Sequence, residues 1–242
     1  TKYIQFGRPN LVVAGLLKNR LISGGVKVSG EIAEDKMPAT QLFRRKLIGE
    51  SRRRLLNLLY PINKNSDNYF AENLFKLIGG SYNSQHNTAL SSRDYYQRTL
   101  DSLGMGTIGI KAFDGSGLSR RNQISSNAFV RLLTIINRDA HFIGLDSTFA
   151  IAGRDGTIRS RMVGTFAAGN VRAKTGTHSN VSALSGFVRT RDGELLAFSF
   201  IFNGPSCGYY KQTENEICAR IAAFSYQRPI ATTTINETKK RK

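Results

Sequence analysis

Ser66-Asp67-Asn68 and Lys174-Thr175-Gly176-Thr177 are the two stretches of this chain whose residue types, taken together, make a coherent piece of chemistry. Covalent acyl transfer needs a nucleophile, a group that moves its proton, donors for the oxyanion, and a cation for an anionic substrate end. In an extended segment Ser66 and Asn68 face the same side, offering a hydroxyl for proton relay and an amide for a substrate carbonyl, while Asp67 points elsewhere. Lys174 brings an ammonium, Gly176 leaves room for a substrate backbone at a strand edge, and Thr175 and Thr177 add hydroxyls beside it. Either stretch alone is no more specific than a turn; their company is what carries meaning. The nucleophile is the missing part. Ser51 leads to Arg54, Ser66 to Tyr69, Ser116 to Ser119 and Ser206 to Tyr209, and no serine has a lysine three positions on.

The elements that must position these groups follow from periodicity. Leu11, Val12, Leu16, Leu17 and Leu21 predict a helix over 10–22, closed by Gly24-Gly25, with a strand-like alternation at 26–29. Residues 34–40 are polar, contain Pro38 and are taken as the linker. A helix through Leu55, Leu56, Leu58 and Leu59 is expected to stop near Pro61. Phe70, Leu74, Leu77 and Ile78 predict a buried stripe on a helix that Ser66-Asp67-Asn68 introduces and Gly79-Gly80 ends. Tyr95, Leu100 and Leu103 suggest another helix and 107–113 a strand, after which Ser125 or Ser126 caps a helix bearing Phe129, Leu132, Leu133 and Ile136. Strand-like runs at 183–190 and 195–202 join through Arg191-Asp192-Gly193, the clearest hairpin, and 212–226 reads as a final helix with Ile217, Cys218, Ile221 and Phe224 inward. Lys174-Thr175-Gly176-Thr177 leads directly into the hairpin. No internal repeat is present.

Composition bounds the rest. At 242 residues and 40% hydrophobic, the chain can bury one substantial core. No apolar run reaches about 20 residues, so no membrane span is expected, and the first residues carry no signal pattern. Cys207 and Cys218 are too few for a disulfide scaffold and read as free thiols, with a single disulfide as the alternative. The net charge of +18 is the strongest deviation, carried by Arg44-Arg45-Lys46, Arg52-Arg53-Arg54, Arg120-Arg121 and the tail Lys239-Lys240-Arg241-Lys242. Such a surface attracts polyanions. Nucleic acid ranks last among them, because no stacking aromatics interleave with the basic runs and no helix-turn-helix or zinc-ligand spacing is present. His86 and His141 stand without a ligand set, so neither a metal nor another cofactor is expected.

Ser-x-x-Lys, Ser-Asp-Asn and Lys-Thr-Gly together mark β-lactamases and penicillin-binding proteins. This chain resembles more specifically the low-molecular-mass class C penicillin-binding proteins, serine-type D-alanyl-D-alanine carboxypeptidases that also act as endopeptidases. The resemblance runs in order through residues 63–72 around Ser66, Asp114-Gly115-Ser116-Gly117-Leu118-Ser119, Gly153-Arg154-Asp155-Gly156-Thr157-Ile158, and Val171-Arg172-Ala173-Lys174-Thr175-Gly176-Thr177. It implies an α+β fold, a β-lactamase- or transpeptidase-like antiparallel sheet flanked by helices and incomplete at the N-terminus. Residues 1–40 would end an inserted domain, 41–228 would be the C-terminal part of the catalytic domain, and 229–242 a basic tail. By the same resemblance Ser66 relays a proton towards the leaving group, Asn68 orients the substrate and Lys174 is the cation near the substrate carboxylate. Thr175 and Thr177 would bind that carboxylate, and Gly176 would let the substrate approach. The backbone N–H of Thr177 would be one oxyanion donor.

The implied partners are peptidoglycan stem peptides, β-lactam antibiotics and an N-terminal fragment bearing Ser-x-x-Lys, in an extracytoplasmic setting. Without that fragment the chain is expected to be inactive, and the rival reading is a non-catalytic basic protein that binds peptidoglycan or another envelope polymer. The glycines of the Asp114 and Gly153 motifs are read as turn geometry outside the active site. His178 departs from the family pattern and is expected to be an exposed loop residue.

Overall fold

Pro9 opens the first helix, α1 (Pro9–Ser23), where a fixed φ suits the first turn and the missing N–H has no partner to lose. The coordinates are a computed structural model that describes residues 8–34, 50, 52–83, 88–106 and 109–226. The backbone divides into two compact units between Arg52 and Arg53. In the first, the Lys18 ammonium donates to Gly30 O (2.6 Å) and ties the stretch after the helix back to α1. Residues 26–29, expected as a strand, lie outside any ladder. Four alternating residues with no strand to pair with among the described residues do not make a sheet. Of the expected linker only Glu34 is described; the expected boundary at 40 and the basic tail lie outside the described residues.

The second unit is α+β. Its first helix, α2 (Leu55–Asn65), runs through Pro61 and does not stop there. Proline forfeits one backbone bond, but the turn beyond it is anchored by side chains: Asn63 Nδ2 donates to Thr148 Oγ1 (2.7 Å) and the Lys64 ammonium to Asp155 (2.5 Å). Helix α3 (Asn68–Tyr82) likewise continues through Gly79 and Gly80. Gly79 is the contact point with α4 (Thr88–Ser102), where a Cβ would lie 2.6 Å from Ser92 N. A glycine there permits the helix crossing and does not end the helix. The expected stripe is not buried either, since Phe70, Leu77 and Ile78 are exposed. Ala71, Phe75 and Gly79 pack instead. Residues 107–108 lie outside the described set, and the expected strand around them is reduced to one antiparallel bridge, Lys111 with Gln123. Helix α5 (Ser126–Arg138) starts at Ser125, whose hydroxyl accepts from the Ala128 N–H.

The sheet is a four-stranded antiparallel meander in the order β1-β2-β3-β4: β1 (Ala150–Ile151), β2 (Arg172–His178), β3 (Val181–Arg189) and β4 (Leu195–Asn203). β3 and β4 form the hairpin read from the sequence, with Gly193 at φ 87° supplying the left-handed turn residue. Gly186 of β3 sits against β2, where a Cβ would come within 2.6 Å of Ala173 Cα. Helix α6 (Cys207–Ala223) begins earlier than expected and stops before Phe224, which is exposed. It covers one face of the sheet and closes a core of Ile158, Val171, Leu184, Val188, Phe198, Cys218 and Ala222. On the other face Leu133 of α5 meets Phe149, Phe187 and Ala197. A third cluster, Leu100, Met105 and Ile110, joins α4 to α5. Cys207 and Cys218 are both free thiols, and burial pushes the Cys218 thiol up to about 12. Among the described residues no helix is long and apolar enough to cross a membrane.

Candidate active site

Ser66 sits between two helices. It caps α2 in the left-handed conformation (φ 57°, ψ 47°), and Asp67 then N-caps α3 by accepting the Phe70 N–H at 2.9 Å. Asp67 N–H closes the reversal on Pro61 O (3.1 Å). The extended geometry expected for Ser66 to Asn68 is therefore absent: a left-handed residue, an extended cap and the first residue of α3 follow one another. The turn still sends Ser66 and Asn68 to one cleft, because both line it. A left-handed β-carbon costs about 1–2 kcal/mol, so the surroundings must hold Ser66 in place.

What holds it is the segment after β1. Asp155 accepts from the Lys64 ammonium and, through Oδ1, from the Ile151 N–H (2.8 Å). Burial pushes the Asp155 carboxyl up, but these bonds and the neighbouring Lys64 and Arg154 charges outweigh it and hold it below its ordinary value. Gly156 (φ 60°) passes so close to α2 that a Cβ would meet Lys64 O at 2.6 Å. One residue on, Thr157 exchanges a hydrogen bond with Thr175, whose Oγ1 donates at 2.9 Å. The Gly153-Arg154-Asp155-Gly156-Thr157 motif thus joins the Ser66 turn to the Lys174 strand, and Thr157 lines the cleft. The expectation that this motif is only a turn outside the site is corrected.

β2 presents Lys174. Its ammonium donates to Ser66 Oγ (2.7 Å) and to Thr175 O (2.6 Å), and burial lowers its pKa from 10.5 to about 8. β1 pairs only with Arg172 and Ala173, so the side of β2 away from β3 is unpaired from Lys174 onward among the described residues, and Gly176 and Thr177 are exposed on it. A Cβ on Gly176 would make only ordinary contact with Ala183 (3.4 Å). Nothing among the described residues crowds that position, which leaves the space for a ligand backbone.

The opposite wall is the Asp114-Gly115-Ser116-Gly117 turn. Asp114 accepts from the N–H groups of Gly117 (3.0 Å) and Ser119 (2.7 Å), from the Ser116 hydroxyl and from Asn122. Burial alone would raise this carboxyl; the four donors together keep it below its ordinary value. Glu72 of α3 takes the N–H groups of Gly115 and Ser116, and Gly115 packs so tightly on Ala71 and Phe75 that no Cβ fits. Gly115, Ser116 and Gly117 all line the cleft, a second correction to the turn-only expectation. His178 is the last residue of β2, not a loop residue, and it bonds Gly117 O across the cleft at 3.0 Å. The only cue to these walls in the sequence was their place in the ordered motifs.

The cleft holds about 670 Å³, and its lining includes Ser66, Asn68 and Lys174 together with Arg161 and Lys211. Arg161 is fixed from behind by Glu214, which is fully buried and also accepts from Ser182 (2.8 Å). Sequence reading missed this network, because Glu214 sits in an ordinary-looking polar stretch of helix. Among the described residues Asp67 is the only acidic one on the wall and is occupied as a cap, so the cleft favours an anionic guest. Among the described residues no three His, Cys, Asp or Glu side chains group as a metal site; His86 lies outside them. The arrangement can bind a carboxylate, hold a carbonyl and pass a proton through the Ser66 hydroxyl.

The profile of the D-Ala-D-Ala carboxypeptidase 3 (S13) family matches residues 3–226. The D-alanyl-D-alanine carboxypeptidase of Actinomadura sp. (strain R39) is 34% identical over 226 residues, covering 90% of this chain and 41% of that protein. The D-alanyl-D-alanine carboxypeptidase DacB of Haemophilus influenzae is 31% identical, covering 81% of this chain and 40% of the relative. Crystal structures of penicillin binding protein 4 (dacB) from Haemophilus influenzae superpose with a TM-score of 0.68 at 25% identity (88% of this chain, 49% of that one) and, as a complex with a β-lactam, 0.65 at 26% (85% and 50%). The chain thus spans about two fifths of the curated relatives and about half of the solved chains.

Proposed function

The chain belongs to the D-Ala-D-Ala carboxypeptidase 3 (S13) family, and from that premise we propose that it is the C-terminal portion of a serine D-Ala-D-Ala carboxypeptidase or endopeptidase acting on peptidoglycan stem peptides. The observation that carries the reading is the 2.7 Å contact between the Lys174 ammonium and the Ser66 hydroxyl at the mouth of an open strand edge. Residues 41–228 form the C-terminal part of the catalytic domain in this reading, residues 1–40 end an inserted domain, and 229–242 are a tail. The site is extracytoplasmic, where the polymer is.

The proposed chemistry divides between this chain and a segment bearing Ser-x-x-Lys. The nucleophilic hydroxyl of that segment gives its proton to the segment's own lysine and attacks the penultimate D-alanine carbonyl, the C–N bond breaks, and terminal D-alanine leaves as the amine. Its nitrogen needs a proton. Lys174 donates its own hydrogen bond to Ser66 Oγ, so the Ser66 proton is free to point into the cleft towards that nitrogen. Asn68 holds a substrate amide, while Thr175 and Thr177 take the terminal carboxylate beside the Lys174 charge. Gly176 lets the peptide lie against β2, and the Thr177 N–H is one oxyanion donor. Water then cleaves the acyl-enzyme. A β-lactam fills the same cleft and stops at the acyl stage.

Intact-protein mass spectrometry of the purified material, with and without penicillin, tests this. A penicillin-sized mass gain on a second polypeptide, or on a longer form of this one, is the expected result. If nothing gains mass, the enzyme reading fails and a non-acylating binding protein with a retained groove takes its place; Lys174→Ala should then weaken peptide binding. This chain alone should show at most weak residual cleavage.

A further inference from the structure

Arg161 is held more firmly than stability alone requires of a residue on a cleft wall. Its Nε donates to Asn215 Oδ1 (2.8 Å), and its Nη2 donates to Lys211 O (3.1 Å) and to Glu214 Oε2 (2.7 Å). Glu214 is fully buried with both oxygens engaged, since Oε1 takes the Ser182 hydroxyl. A buried ion pair stabilises a fold little better than apolar side chains of similar volume, because both charges must be desolvated. What it supplies is a guanidinium of fixed orientation. Nη1 has no hydrogen-bond partner among the described residues, and Arg161, 13% exposed, lines the cleft together with Lys211. With Glu214 balancing Arg161, the Lys211 ammonium leaves this corner of the cleft with a net positive charge.

The two faces of the sheet decide which part of a ligand meets that charge. Side chains alternate along a strand, and Ala173 of β2 and Leu184 of β3 lie in the core beneath α6. Thr175 pairs with Leu184 and Thr177 with Ser182, so both threonines share that face, whereas Lys174 reaches Ser66 from the other. Ser182 bonds Glu214 and thereby ties Arg161 to the Thr177 side of the same face. These threonines are the residues to which the proposed function gives the terminal carboxylate. Arg161 and Lys211 therefore belong with the leaving residue and not with the acyl side of the peptide.

We propose that Arg161 and Lys211 form a second anion subsite, which takes a side-chain carboxylate of the leaving residue and so favours a dicarboxylic leaving amino acid over D-alanine. Arg161 Nη1 and the Lys211 ammonium donate charge-assisted hydrogen bonds to that carboxylate, while Thr175 and Thr177 keep the terminal one. Glu214 touches no ligand; it is a positioning residue that fixes the guanidinium. The inference rests on the carboxypeptidase or endopeptidase reading of the cleft and adds a specificity for the leaving-group side.

Calorimetry on the purified material, with every polypeptide it contains, tests this at 0.3 M salt, where general attraction to a basic surface is screened. The probes are hydrolysis-resistant ketomethylene analogues of acetyl-D-Ala-D-Ala, acetyl-D-Ala-D-Glu and succinyl-D-Ala-D-Ala. The last two carry the same charge, but only the second places the extra carboxylate on the leaving residue. The D-Glu analogue should bind about tenfold more tightly than either of the others. Lys211→Met should cut that preference to less than about threefold, and so should the paired variant Arg161→Gln with Glu214→Gln, which keeps a hydrogen-bonded pair without the charges. Equal affinity for all three probes, an equal gain with the succinyl analogue, no measurable binding, or a preference that survives Lys211→Met overturns the subsite. A uniform loss for all three in Lys211→Met also overturns it, because the cation would then serve the terminal carboxylate. Penicillin added to the same material separates the two ideas. A D-Glu preference without a penicillin mass gain keeps the subsite and sinks the enzyme reading; acylation without the preference does the reverse.

Discussion

Ser66 and Lys174 set the terms at the scale of single residues. Ser66 holds a left-handed conformation that only glycine takes without cost, so its side chain is retained against a local penalty. Ser66→Gly removes the hydroxyl and the penalty together, whereas Ser66→Ala removes only the hydroxyl. Urea unfolding should therefore find Ser66→Ala less stable than Ser66→Gly by about 1 kcal/mol, with both losing the contact to Lys174. Lys174 titrates at about 8 in the folded chain against 10.5 ordinarily. Between those values the unfolded chain binds more protons than the folded one, so this residue makes stability rise with pH from about 8 to 10.5 and contributes no slope below. Thermal midpoints measured across that window should rise less in Lys174→Met than in the unaltered chain. Binding of an anionic peptide should run the other way, weakening above about pH 8 as the ammonium is lost.

Elements, not single residues, decide whether these two side chains meet. The 153–157 segment is the connector: Asp155 grips the end of α2 through Lys64, and Thr157 bonds Thr175 on β2. Asp155→Asn should cost about 1–2 kcal/mol, since the ion pair is only partly screened from solvent. More telling is its remote effect. With the α2 end released, Ser66 loses its fixed distance from Lys174, and the Lys174 pKa, followed by nitrogen-15 NMR of labelled lysine, should move up from about 8. An unchanged Lys174 titration in a folded Asp155→Asn chain would remove the connector from this account. The ion pair's own pH dependence has the same sense as that of Lys174 but lies in the acid range: its stabilisation is full above the ordinary carboxylate range and is lost as pH falls through the lowered Asp155 value.

At the scale of the whole molecule, charge dominates. A net charge of +18 gives a long-range attraction for any polyanion that has no preference for sequence and is screened over about 10 Å at 0.1 M salt. Retention on an anionic column should fall steeply with salt, and nucleic acid should bind weakly and without sequence preference. Steep binding with a strong sequence preference would contradict the carboxylate-cleft reading. Under the proposed function the basic surface and the cleft would share one logic, with an anionic envelope polymer drawn to the first and its peptide ends to the second.

Much of this was legible in the sequence because it is local. Residue type and spacing mark Ser66, Asn68 and Lys174; alternation around Gly193 makes the hairpin; Ser125 caps its helix; and the antiparallel meander follows from sequential strands. Pro61, Gly79 and Gly80 were misread as stops because punctuation rules weigh the backbone alone, while contacts from distant residues held those helices together. Only the tertiary structure decided that Ser66 and Lys174, 108 positions apart, lie 2.7 Å from one another. The same holds for Thr157 and Gly117 on the cleft walls and for Glu214 buried behind Arg161. The physical reason is that propensity and periodicity act over a few residues, whereas a site is built by packing, which joins groups whose sequence neighbours say nothing of each other.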